Sequence, residues 1–540
     1  MTREVRALST GQIVRAALVV LLGFLASGVL GLVRTAAYTA YFGASVELDV
    51  FFAAQRIPEM LFTLVAGGAL GSAFIPVFAR YLNRDDPQAW RLASAVMSWS
   101  AAAAALIGIL LAVTSPLVMP LLLRDVPDAY QALSADLTRW MLITTVIFSV
   151  SGLTMGILNA HQQFFLPALA ISMNNIGLII GAVVISPLIP VDAGPFAYPA
   201  VGERSIYGLA FGAILGAALH LLIQLPGLVR VRAVIRPLFS TRVEGSGLVL
   251  RLMLPRMLGL AVTQLNFLVN LYFAGQMVEG SNSALNVAWF IMFFVLGIIA
   301  QSVGTAVFPS LARLAAEGDL AAFGSRLTSA MSGILFLAIP ASVGLIVLGR
   351  PVVALMVERG EWLSDATAGT AWALAFFAVG IAGHGLLEVL SRAFYALSDT
   401  RTPVLIGIAS LISNIVLSVV FIRFIGEPAS LARGPIAGLA LANSLTTLLE
   451  AAVLWWILSR RIHTVDDRLL LSGSGRSLAV SALMGTIVAL LSSALVGRAD
   501  LIIVLVCGAV GATVYFIFGA AVGIAEARAV PMLIMRRLRR

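Results

Sequence analysis

The sequence predicts an all-α integral membrane protein of about fourteen transmembrane helices, two pseudo-symmetric six-helix lobes plus two C-terminal helices. Three observations predict it. The 540 residues are 60% hydrophobic and only 11% charged, with a mean hydropathy of +1.00, where soluble domains carry roughly 25% charged residues. Arginine-rich and arginine-poor connections alternate along the chain, and one decapeptide of the first half returns in the second.

A span needs ~20 apolar residues. Runs of that kind lie near 13–38, 50–79, 92–122, 136–159, 165–187, 205–227, 248–275, 284–309, 328–348, 366–391, 402–424, 434–458, 475–497 and 500–525. Arg3, Arg6 and Arg15 precede the first run and imitate a signal peptide. The run continues past signal-peptide length without a clear cleavage site, so it reads as a retained helix.

All basic residues are arginines, and the net charge is +9. They form no single basic domain, which argues against nucleic acid. One set of connections holds Arg80, Arg84 and Arg91; Arg230, Arg232, Arg236 and Arg242; Arg313 and Arg326; Arg392 and Arg401; Arg460, Arg461, Arg468 and Arg476; and the basic C-terminal tail. The other set holds Glu47, Asp49, Asp125, Asp128, Glu279, Glu358 and Glu361. The first set, with both termini, is expected in the cytoplasm. The longest outer connection, 188–204, includes VDAGPFAYPAVGER and has no room for a soluble catalytic domain.

GSAFIPVFAR at 71–80 reappears as GTAVFPSLAR at 304–313, an offset of 233 residues, with Gly71, Ala73, Pro76, Ala79 and Arg80 matched by Gly304, Ala306, Pro309, Ala312 and Arg313. Pro167 and Pro403 open spans five and eleven, and GLA recurs at 208–210 and 438–440. Spans one to six thus resemble spans seven to twelve, a parallel repeat about an axis along the membrane normal. The expected divisions are 1–228, 229–462 and 463–540.

Residues 27–84 are apolar enough for lipid yet carry Arg34, Asp49, Arg56 and Glu59. A charge at the bilayer centre costs ~2.5–3.5 kcal/mol on insertion scales, so such residues face partners or a wet cavity. On one helix Asp49, Arg56 and Glu59 share a face. Arg56 and Glu59 are spaced to pair, and Pro58 between them should kink the helix. The competing reading makes Asp49 interfacial and Arg56–Glu59 a structural pair. Arg34 either faces the cavity, where its planar fork suits a diphosphate, or snorkels outward near Tyr38 and Tyr41.

His384, Glu388 and Arg392 share one face of span ten and read as a structural ladder at a helix end. Asn174, Asn175, Gln264, Asn266, Asn270 and Asn414 read as interhelical hydrogen bonds or path lining. Gly208, Gly212 and Gly216 read as a close-packing seam. The GG and GxxG fragments near 67–71 lack the GK[ST] of a phosphate loop. Cys507 stands alone, and no two of the four histidines have metal-ligand spacing, so no metal site or disulfide is expected. At the repeat offset Asp49, Arg56 and Glu59 map to Asn282, Trp289 and Met292. One half is ionic and the other aromatic, which suits an amphiphile with an anionic head.

The stretches VLGLVR (29–34), YFGASVELDVFFAAQRIP (41–58), GSAFIPVFARY (71–81), GILNAHQQFFLPA (156–168), GTAVFPSLA (304–312) and AFYALSDTRTPV (393–404) resemble the MurJ/MviN family, lipid II flippases of the MOP transporter superfamily. The resemblance implies a MATE-like fold with a central cavity and a tail groove at the two extra helices. It implies movement of undecaprenyl-diphosphate-linked peptidoglycan precursor across a bacterial inner membrane by alternating access, with no enzymatic step and no ATP. It implies roles for Arg34 at the diphosphate, for Asp49 at the start of helix two and for Pro167 at the start of helix five.

Expected partners are the lipid-linked precursor, the bilayer and cell-wall synthesis proteins. No cofactor is expected beyond an unidentified coupling ion or the membrane potential. The sequence departs from the family where Gly28, Phe62, Phe290 and Phe293 replace expected charges, and Glu59 stands at an asparagine position. The alternatives are a flippase for another polyprenyl-linked glycan, a MATE-like exporter, and a non-transporting membrane scaffold.

Overall fold

The computed structural model describes residues 10–64, 71–82, 87–240 and 242–528. Arg3, Arg6, Arg84, the glycines at 67 and 68, the side chain of Arg15 and the tail beyond Arg528 lie outside the described residues. Every regular element among them is helical. In order they are α1 (Thr10–Phe42), α2 (Val46–Phe62), α3 (Gly71–Leu82), α4 (Gln88–Leu122), α5 (Asp128–Met141), α6 (Ile143–Ala160), α7 (Phe165–Ile180), α8 (Tyr207–Leu222), α9 (Leu225–Arg230) and α10 (Ser246–Ala274). Then come α11 (Ser281–Leu296), α12 (Ser302–Glu317), α13 (Leu320–Val357), α14 (Ser364–Val379), α15 (Ile381–Ala396), α16 (Arg401–Phe424), α17 (Ile436–Ile462), α18 (Asp467–Ala494) and α19 (Asp500–Val522).

By length and hydropathy ten helices qualify as spans among the described residues, or eleven when α14 and α15, bent by 46°, count as one. This count, made of the described residues, does not confirm all fourteen expected spans. One reason is visible in α2, whose 17 residues are short for a span and carry Glu47, Asp49, Arg56 and Glu59. Two of the qualifying spans are irregular. The fifth expected span passes from α7 into a π-helical turn, Gly181–Ile185, and the eighth is α11 and α12 joined through another, Gly297–Gln301. Such turns locally interrupt the regular hydrogen-bond ladder.

The chain forms two compact units, one of Met1–Ser283 with Arg359–Trp362, the other of Ala284–Glu358 with Leu363–Arg540. The seventh expected span, α10, opens the second sequence copy and packs against α2, α3 and α4 in the first unit.

In the first unit α7 packs on α1 and α8. A Cβ added at Gly177 would lie 2.2 Å from the Gly216 nitrogen, and one at Gly212 would lie 2.7 Å from the Gly181 Cα. The glycine seam of α8 therefore meets a second pair, Gly177 on α7 and Gly181 in the π-helical turn after it, and backbone touches backbone. Gly177→Leu is expected to abolish the monodisperse folded peak in size-exclusion chromatography, because the backbone itself blocks the side chain.

In the second unit α13 packs against α14, α18 and α19. The buried Tyr515 hydroxyl donates to the Phe336 carbonyl at 2.7 Å and contacts Ser477 Oγ at 2.6 Å. Phe336, Met484, Val488 and Cys507 lie in the same core.

The repeat is visible in the backbone. Four non-glycine residues adopt positive φ among the described residues, and they fall into repeat-related pairs. Gln162 (60°) and Ser398 (61°) precede α7 and α16, while Arg232 (53°) and His463 (54°) follow α9 and α17. At the Ser398 turn, Asp399 accepts from the Thr402 amide at 3.0 Å, from its hydroxyl at 2.7 Å, and from Arg461. Partial burial pushes this carboxyl up, but the Thr402 donors and the Arg461 guanidinium outweigh it and hold it down at about 2. A depressed carboxyl contributes stability above its unfolded value and loses it as the pH falls toward the folded one. The melting-temperature gap between wild type and Asp399→Asn should therefore be constant near neutrality and close between pH ~4 and ~2.

Candidate functional site

The charges that stand in apolar sequence in the first unit, Arg34, Asp49, Arg56 and Glu59, sit on α1 and α2. Ser45, with extended backbone (φ −97°, ψ 165°), caps α2 by accepting the Leu48 amide at 3.3 Å. The Val46 amide, one of the donors that a helix start leaves open, donates to Glu279 Oε1 at 3.0 Å. Asp49, one turn on, is buried. Its Oδ2 accepts the Gly280 amide at 2.8 Å, and its Oδ1 accepts both the amide and the hydroxyl of Ser283 at 2.6 Å. The Asp49 carbonyl accepts from Asn282 Nδ2 at 2.9 Å.

Asp49 is thus a helix cap supplied from another helix. It satisfies open amides where α11 begins and places a negative charge at the positive end of a helix dipole. Both Val46–Glu279 and Asp49–Asn282 join positions 233 residues apart, the repeat offset. Two glycines permit the approach. Gly280 holds φ +83° and a Cβ there would stand 2.6 Å from the Ala44 carbonyl; Gly360 holds φ +59° and its Cβ would stand 2.1 Å from the Ala40 carbonyl. The Glu361 amide donates to that same Ala40 oxygen at 3.0 Å.

Two turns along α2, Arg56 Nη1 donates to Glu59 Oε2 at 3.2 Å, and its guanidinium lies 4.6 Å from the Phe267 ring centre of α10. Their side chains are 16% and 45% exposed, so the pair is open on the glutamate side. Pro58 is buried between them, and α2 ends four residues later. On α1, Arg34 Nη1 donates to Asn175 Oδ1 of α7 at 3.1 Å. Asn175 Nδ2 in turn donates to the carbonyl and hydroxyl of Ser27, at 3.1 and 3.2 Å. Arg34 lies eight residues, about 12 Å, before the end of its helix, and its bond ties α1 to α7. Pro167 is buried in the first turn of α7.

In the sequence Tyr38 stands out only as a neighbour of Arg34. It is 2% exposed, its ring stands edge-on to Phe51 at 5.6 Å, and Arg34 and Glu59 are both within electrostatic reach of it. Its hydroxyl has no hydrogen-bond partner among the described residues. Its position one helical turn after Arg34 was the available signal. Glu279 was legible too, since it is the repeat mate of Val46. Nothing local announced Gly280, Ser283 or the choice of Asn175.

In the second unit Glu388 and Arg392 pair across one turn of α15. A Cβ at Gly304 would lie 3.3 Å from Glu388 Cγ, which gives the repeated glycine a packing reason. His384 Nε2 meets Asn443 Oδ1 at 3.1 Å, and Trp289 stands edge-on to His384 and Phe377. Met292 is fully buried. Phe62 packs on Phe148 at 4.6 Å between ring centres; Phe293 is stacked on Trp289 at 6.0 Å. Phe290 is half-buried, as is Gly28 in the first unit.

A helical membrane protein built from two sequence copies, with charged residues within apolar helices, shares its fold with solved transporters of the MOP superfamily. The fold agrees with an inward-facing multidrug-resistance MATE transporter of that superfamily, at a TM-score of 0.66 and 15% identity over 81% of this chain and 95% of that one. It agrees further with a structure of the lipid II flippase MurJ in an inward closed conformation, at a TM-score of 0.74 and 24% identity over 97% of this chain and 100% of that one.

The chain belongs to the MurJ family: the family described as lipid II flippase MurJ matches residues 38–507. The lipid II flippase MurJ of Burkholderia cenocepacia is 31% identical over 454 residues, 82% of this chain and 84% of that protein. The probable lipid II flippase MurJ of Thermotoga maritima is 27% identical over 506 residues, 94% and 96% of the two chains. This is a family of transporters and not of enzymes.

Proposed function

We propose that this protein carries lipid II, the undecaprenyl-diphosphate-linked peptidoglycan precursor, from the inner to the outer leaflet of a bacterial cytoplasmic membrane by alternating access. Membership of the MurJ family over residues 38–507 carries this reading. The charged face of α1 and α2 supplies the chemistry such a headgroup needs. Guanidinium groups bind diphosphate oxygens through paired N–H donors, and Arg34 already donates to a neutral oxygen, that of Asn175. A diphosphate oxygen is a stronger acceptor and replaces it. Arg56 turns likewise from Glu59, whose carboxylate is half open. The Asp49 cap holds the starts of α2 and α11 together in one state and releases them in the other.

The moving parts in this reading are two six-helix lobes, 1–228 and 229–462, with 463–540 beside them. Both termini are cytoplasmic, on the arginine side of the connections. Membrane potential supplies the drive, at about 2.3 kcal/mol per charge per 100 mV. Growth complementation tests the assignment. Expression in cells depleted of their own lipid II flippase should restore growth and cell shape; failure to do so with the protein present in the membrane removes lipid II as substrate.

A further inference from the structure

A second feature of the first unit lies apart from this chemistry. After α9 the chain turns back at Arg232 and runs extended along the first turns of α4. The Arg236 amide donates to Ser94 Oγ at 3.1 Å and the Leu238 amide to Ser98 Oγ at 2.9 Å. One helical turn rises ~5.4 Å and two extended residues ~6.6 Å, so the two serines match the strap's period. Its side chains alternate: Arg232, Val234 and Arg236 are exposed, while Val231, Ala233 and Ile235 are half-buried. The connection 229–245 carries Arg230, Arg232, Arg236 and Arg242 against Glu244 alone. Arg91, exposed on α4, lies one turn before Ser94.

Strap and helix border an open groove of about 300 Å³, lined by Met97, Ala101, Ala102, Ile235, Pro237 and Phe239 among others. At its mouth Trp99 and Phe239, 45% and 62% exposed, stand edge to face at 5.6 Å. From Trp99 a stripe of exposed apolar residues continues up α4 through Leu106, Leu110, Val113 and Leu117 at helical spacing. Cations, an aromatic pair and an apolar track follow one another along α4. That is the order of headgroup, interface and acyl chain in a leaflet.

We propose that the strap and α4 bind an anionic glycerophospholipid, its phosphate at Arg232 and Arg236 and one acyl chain in the groove and along the Leu106–Leu117 stripe. The charge excess selects an acidic lipid over a zwitterionic one, and the groove separates a lipid from a free phosphate. The site requires neither lipid II nor transport.

Native mass spectrometry of the full-length protein with phosphatidylglycerol and with phosphatidylcholine of equal chain length tests it. Phosphatidylglycerol should bind at least tenfold tighter. The Arg232→Gln/Arg236→Gln double variant should lose about 25-fold in affinity, from about fivefold per arginine. Ala101→Phe, which fills the groove and keeps both arginines, should weaken binding as well, and inorganic pyrophosphate should not compete. Equal affinity for the two lipids, or unchanged binding in either variant, overturns the proposal. Competition by pyrophosphate overturns the lipid assignment by showing a plain phosphate site.

Discussion

Asp49→Ala is expected to abolish complementation while the protein still inserts in the membrane. The carboxylate accepts three hydrogen bonds, from the Gly280 amide and from the amide and hydroxyl of Ser283, at 2.6–2.8 Å. Truncation leaves these donors without an acceptor in a buried site. Each unsatisfied buried group costs about 1–3 kcal/mol, and a lost cap about 1 kcal/mol. A total of about 3 kcal/mol or more is enough to change the balance between two conformers by two orders of magnitude. Asp49→Asn keeps an acceptor oxygen and loses the charge, so its effect should be intermediate. The expected order in melting temperature and in growth rescue is wild type, then Asn, then Ala. Wild-type rescue and an unchanged melting temperature for Asp49→Ala would show that the cap plays no part.

Arg34→Ala is expected to remove rescue altogether, and Arg34→Lys to recover little of it. An ammonium keeps the charge but lacks the planar fork that engages two oxygens at once. The variant also leaves Asn175 Oδ1 without its donor from α1, yet Asn175 remains tied to Ser27 through its own amide. The structural cost is therefore small beside the functional one. The check is growth across a titrated range of expression, with Asn175→Ala as companion. If the arginine acts on substrate, Asn175→Ala leaves most activity. If Arg34 merely fastens α1 to α7, the two variants fail equally.

Much of the fold was legible because lipid imposes a simple rule. A run such as 402–424 must be a helix to satisfy its backbone where water is absent, and α16 spans Arg401–Phe424. The glycine spacing of α8 announced a close seam, and α7 supplied the other side of it. The repeat, read from a decapeptide, returned as paired left-handed residues at Gln162 and Ser398. Breaks were not legible. Span ten divides at Gly380, where a Cβ would lie 2.7 Å from Ser444 Oγ, and that approach depends on a helix 64 residues away.

The charged positions were visible, since Arg34, Asp49, Arg56 and Glu59 stand out in apolar surroundings. Their partners mostly were not. Arg56 and Glu59 are three residues apart, and helical spacing announces that pair. Arg34 meets Asn175 across 141 residues, and Asp49 meets Gly280 across 231. Periodicity carries no record of such distances.

The most direct test is the accessibility of lipid II at the outer surface of cells depleted of their own flippase and expressing this protein. Labelling or cleavage of the exposed headgroup should return to the level of undepleted cells with the wild-type chain and stay at the depleted level with Arg34→Ala. Lipid II that remains inside while the wild-type chain is present in the membrane would contradict the account.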